Sequence, residues 1–252
     1  MLFRSSFLQY ARGFLTDDRD YSRNIQLKIT HTLMVRREAR NIAADEQWDP
    51  VDGALGEIIA LLHDYGRFEQ FRQFQTFADA QSLNHGELSA RLALEHHLLD
   101  ALDDADRATV IQAILNHNKR TLPEELSARD RKFAAQIRDA DKLDIMRVLL
   151  EYYADHCRNE AVTMGLAHVQ KITPAVLAQL QARQSPRYQD MQTIPDFVLM
   201  TLSWAYDLNY KYSRREYVRR GLLESMHPYI ADIPEAEAVY REIVAYLRSS
   251  TR

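Results

Sequence analysis

The sequence predicts an all-α protein with an appended C-terminal helical layer, on three observations. Turn-formers are scarce: seven Gly and seven Pro in 252 residues are too few for a many-stranded sheet, which needs a turn roughly every 8–12 residues. Apolar residues recur at helical spacing, as in Ile25, Ile29, Thr32 and Val35, the mark of a one-sided helix. Helix start signals precede such runs, among them Asp49-Pro50, Thr173-Pro174 and Ile233-Pro234, where proline suits the first helical position.

Taken in order, Phe3, Phe7, Leu8, Phe14 and Leu15 predict a short docking helix. A second helix runs from Tyr21 to about Ala44 and carries His31 beside its apolar face. Asp49 and Pro50 open a third, which ends at His63-Asp64, where Gly66 is expected to close it in the left-handed conformation. Phe68, Phe71, Phe74 and Phe77 recur every third residue, which predicts a helical turn and loop over the site; the rings read either as core packing or as substrate lining. Asn84 is placed to cap a helix beginning at His85. Another helix carries Val110 to Leu115 and ends at His117, where a histidine also suits the helix dipole. Ser127 opens a long helix from about Ala128 to His156, with Asp141 on its apolar stripe. Further helices start at Thr173, Ile194, Ser213 and Ile233.

An apolar helix that runs into an adjacent imidazole and carboxylate, Leu61-Leu62-His63-Asp64, points to a bound cation, because burying such groups unpaired is costly. His31, His85, His117 and Asp141 supply further candidates. Four imidazoles and two carboxylates suit one or two divalent first-row ions, Mn, Fe, Co, Ni or Zn, rather than Mg or Ca. Asp144, one turn beyond Asp141, is placed to support a ligand, and Asp139 is expected to be solvated.

The order His31, His63-Asp64, Asp141, with Gly66-Arg67 after the pair and Asp141 inside Asp139-Ala140-Asp141-Lys142-Leu143-Asp144, resembles the HD-domain superfamily of metal-dependent phosphohydrolases. The resemblance covers residues 21 to about 156 and leaves 157–252 as an added layer on a single domain. It implies an all-helical fold with His31 on the first core helix and Asp64 bridging the metals. His85 and His117 fall where two-metal branches of the superfamily place extra histidines. The chain lacks the Gly-Tyr-Pro signature of the cyclic-di-GMP phosphodiesterases, reading Asn118-Lys119-Arg120-Thr121-Leu122-Pro123 instead.

The implied chemistry is hydrolysis of a phosphoester, a nucleotide or a small organic phosphate, by a water that the metal activates. Arg67 would hold the phosphate, with Lys142 or Lys119 adding charge; the other reading of Arg67 is a salt bridge to Glu69 or Asp79. Two alternatives use the same fold: a diiron oxygenase resembling inositol oxygenase, and a binding module without turnover.

Composition narrows the partners. Thirty-two Lys and Arg against 36 Asp and Glu give a net charge of −4, so nothing global favours nucleic acid. The Tyr and Arg residues between Tyr206 and Arg220 read as a solvated helix face over buried rings. A lone cysteine, Cys157, forms no internal disulfide and fits a reducing compartment. No run approaches the roughly 18 apolar residues of a membrane span, so a soluble, cytoplasmic protein is expected.

Overall fold

The computed structural model describes residues 2–154 and 166–250; His156, Cys157 and the expected end of the long helix lie outside the described residues. The fold is all-α, with no strand among the described residues and one isolated parallel bridge between Ala167 and Thr193. It divides into two compact units, residues 1–144 and 145–252.

The first unit contains α1 (Leu2–Arg12), α2 (Arg19–Asp45), α3 (Pro50–Leu62), α4 (Arg67–Phe74), α5 (His85–Glu95), α6 (Asp104–Asn116) and the start of α7 (Ala128–Ala154). The start signals act as their chemistry dictates. The Asp49 side chain accepts from the Val51 and Asp52 amides at 2.9 and 3.0 Å, with Pro50 at the first helical position, satisfying donors that a helix start leaves unpaired. Long α2 lies along α3, and Ile25, Ile29, Val35, Ile42, Leu55 and Ile59 between them are fully or nearly fully buried.

Two expectations are corrected here. Gly66 has φ −72°, in the right-handed region, so it is no left-handed stop. Its role is close approach: a Cβ there would lie 2.8 Å from Leu88 Cγ and from the Ser89 backbone nitrogen, and the Gly66 amide donates to Ser89 Oγ at 2.8 Å. Asp139 is completely buried rather than solvated. Every residue from Ala134 to Ala140 on α7 is buried, so this part of α7 is surrounded and offers no solvent face for Asp139.

The four phenylalanines divide between roles. Phe68 is fully buried against Phe7, Tyr10 and Phe14, whereas Phe74 is 40% exposed. Phe77 stacks on Phe71 with centroids 4.7 Å apart.

The second unit contains the rest of α7, then α8 (Pro174–Gln181), α9 (Ile194–Ser203), α10 (Lys211–Arg219), α11 (Leu222–Met226) and α12 (Pro234–Ser250). All ten residues of α9 are buried, which makes it the core of this unit. Asp196, fully buried at its start, accepts from Thr173 N, Thr173 Oγ1, Gln192 N and Thr193 N at 2.8, 2.6, 2.9 and 3.1 Å. Tyr217 from α10 is buried and donates to the carbonyls of Thr201 and Leu202. No helix among the described residues is long and apolar enough to cross a membrane.

Candidate metal centre

Three helices and the ends of two more bring the predicted residues together within the first unit. His31 lies midway along α2. His63 and Asp64 occupy the turn after α3, His63 still bonding the Ile59 carbonyl at 2.9 Å. Asn84 caps α5 by accepting from the Gly86 and Glu87 amides at 2.9 and 3.2 Å, which fixes His85 as the first helical residue. His117 directly follows α6, and Asp141 and Asp144 lie one turn apart on α7.

All four histidines are oriented alike. Each Nδ1 contacts an oxygen outside the cluster: Asp144 Oδ2 for His31 at 2.7 Å, the Ala60 carbonyl for His63 at 2.8 Å, Asp79 Oδ2 for His85 at 2.6 Å and the Ile114 carbonyl for His117 at 2.6 Å. Such contacts fix the ring tautomer and leave Nε2 to face inward.

The inward atoms form two groups, His31, His63 and Asp141, and Asp64, His85 and His117, with ligand atoms within 4.8 Å in each. Asp64 joins them. Its Oδ2 is 3.6 Å from His31 Nε2 and 3.8 Å from His63 Nε2, while its Oδ1 is 3.5 Å from His85 Nε2 and 3.9 Å from His117 Nε2. Asp141 Oδ1 approaches His31 Nε2 at 3.1 Å and His63 Nε2 at 3.9 Å.

The electrostatics suit a cation. Burial, and behind it the Arg67 charge, lowers the pKa of His85. Burial also lowers His63, and with its histidine neighbours pushes His117 down to about 3, so these rings keep their lone pairs. Burial and Lys28 act to lower His31 as well, but contacts with Asp141 and Asp144 outweigh them and raise it to about 9. Burial opposes ionisation of Asp64, yet Lys28, His63 and Arg67 hold it well below the carboxylate range. One atom tests the fit directly. His63 Nε2 is buried without a hydrogen-bond partner, an orphan that a metal ion would satisfy and that native proteins otherwise avoid.

The predicted cations differ in setting. Arg67 contacts Asp64 Oδ1 at 3.3 Å and also makes the expected salt bridge to Asp79, at 3.0 Å. Lys142, beside Asp141 on α7, is buried.

Sequence reasoning missed Lys28, whose Nζ lies 2.8 Å from Asp64 Oδ2, and the contact of Asp79 with His85. It also missed Arg138, a buried cation that donates to the carbonyls of Asn116, His117, Lys119 and Arg120 and so closes α6 around His117. Lys28 and Arg138 each precede a candidate ligand, His31 or Asp141, by three residues, the helical spacing that puts two side chains on one face.

Residues 29–146 match the family model of the HD domain, inside the stretch that carried the resemblance. No curated protein and no solved structure matches the chain. HD domains are generally metal-dependent phosphohydrolases that bind divalent ions. The all-helical fold, the two His/Asp groups and the family match agree that the stretch 29–146 is similar to an HD domain.

Proposed function

We propose that the protein is a metal-dependent phosphohydrolase that cleaves a small-molecule phosphoester, a nucleotide or an organic phosphate. The observation that carries this reading is the division of Asp64, one carboxylate oxygen toward each histidine pair. In it, His31, His63 and Asp141 would hold one divalent ion, His85 and His117 would hold a second, and Asp64 would serve both. The chemistry such ions would supply is a lowered pKa for a water and polarisation of a phosphoryl oxygen.

The protein's own residues do the rest. Asp144 and Asp79 fix the rings of His31 and His85 through Nδ1. Arg67 brings positive charge beside Asp64, and Lys142 adds charge next to Asp141. Burial of the four rings lowers the local dielectric around them, which strengthens charge interactions at the site.

The test is elemental analysis of the purified protein, followed by assay of a phosphoester panel with Mn, Co, Ni or Fe added. Phosphate release that depends on metal, and that disappears in Asp64→Ala with helical circular dichroism intact, is the expected result. Two irons per chain with oxygen uptake and no phosphate release would replace it with the oxygenase reading.

A further inference from the structure

Each oxygen of Asp64 faces a cation as well as a histidine pair: Lys28 on Oδ2, the side of His31 and His63, and Arg67 on Oδ1, the side of His85 and His117. The two cations are not equivalent. All three nitrogens of Arg67 are engaged, Nε with Asp64, Nη1 with Gln70 Oε1, the Phe77 carbonyl and Asp79 Oδ1 at 2.8, 2.5 and 3.0 Å, and Nη2 lying 3.3 Å from His85 Nε2. Gln70, fully buried, fastens the same loop by donating to Asp79, Ser82 and the Leu83 carbonyl. Arg67 is thus a strut of the loop over the site, and an incoming anion must displace protein acceptors to gain its donors.

Lys28 is built differently. An ammonium has three donors, and among the described residues its one hydrogen-bond partner is Asp64, at 2.8 Å. Its side chain is 16% exposed, and its charge lies over the Phe77 ring, 5.2 Å from the centroid. A flexible four-carbon stem lets such a group turn toward an anion while its charge stays over the ring.

We propose that Lys28 is a phosphate-binding residue of this centre, supplying its two remaining donors to the phosphoryl oxygens of the substrate while Arg67 holds the loop. The proposal rests on the phosphohydrolase reading and assigns a contact to a residue that this reading leaves unused.

The experiment is isothermal titration of inorganic phosphate into the full-length, Mn-loaded protein, with metal content measured on the same samples. Lys28→Gln keeps a donor for Asp64 and removes the charge. It should retain the wild-type metal content and helical circular dichroism and weaken phosphate binding about tenfold or more, the loss expected for a charge-assisted hydrogen bond. Lys28→Arg should restore most of the affinity. Wild-type phosphate affinity in Lys28→Gln overturns the proposal. So does loss of metal in that variant, which would make Lys28 a support for Asp64 alone, and so does a wild-type protein that takes up no phosphate. A wild-type protein that binds phosphate and cleaves no ester of the panel removes the phosphohydrolase reading, while the comparison of the two variants still decides the role of Lys28.

Discussion

Asp144 on α7 reaches His31 on α2 with its Oδ2 2.7 Å from the ring Nδ1, across 113 residues of sequence. The contact orients the ring so that Nε2 points at Asp64 and Asp141. Partners that orient a metal-binding histidine in this way typically contribute 10–100-fold in metal affinity. Asp144→Ala should therefore weaken metal binding by about that factor with helicity intact. Calorimetric titration of manganese would show it, and unchanged affinity would remove Asp144 from the centre.

His85 and His117 form one half of the cluster, their Nε2 atoms 2.9 Å apart. The double variant His85→Ala, His117→Ala should hold about one metal per chain where the wild type holds about two, the remaining ion kept by His31, His63, Asp64 and Asp141. The chain should stay folded, because trimming two rings at a polar wall removes little apolar burial. A native stoichiometry near one, with both histidines replaceable at no cost in rate, would falsify the two-ion arrangement.

Gly66 can be tested without any metal. In Gly66→Ala the new methyl meets Leu88 and Ser89 at 2.8 Å, and the Ser89 atom is backbone, which cannot swing aside. Overpacking of this kind costs ~1–3 kcal/mol. The denaturant midpoint should fall accordingly, and an unchanged midpoint would mean that α5 can shift freely.

Asp196 makes a prediction for the second unit. In Asp196→Ala, four donors lose a buried acceptor together, and each unsatisfied group costs ~1–3 kcal/mol. The expected destabilisation is at least ~3 kcal/mol, read from chemical denaturation. A loss below ~1 kcal/mol would show that water replaces the carboxylate.

What could be read in advance was whatever rests on local chemistry. The Asp49-Pro50 and Asn84 starts depend on neighbouring residues and lie where the caps require. His31, His63, Asp64, His85, His117 and Asp141 were selected by type and helical context, and the fold gathers them. Burial of Asp139 could not be read, because its position on α7 looks polar until the helix is seen to be enclosed. Gly66 was misread for a related reason: a glycine after a helix signals either a left-handed turn or a passing helix, and only the position of α5 separates the two. Lys28 and Arg138 were hidden by their ordinariness, since a single cation on a long helix gives no signal until its neighbour one turn on has a role.

The arrangement around Asp64 has a thermodynamic consequence of its own. A carboxylate carries one unit of negative charge, and here that unit is shared between two positions. An ion arriving at one polarises the group toward itself, and a later arrival meets both a weakened partner and a like charge nearby. If two ions are held there, loading would be sequential and unequal, a tight step followed by a looser one, even though each position has its own two imidazoles. On the two-ion reading, limiting metal would leave the molecule half-filled, and the supply of the second ion would set how much of the population is complete.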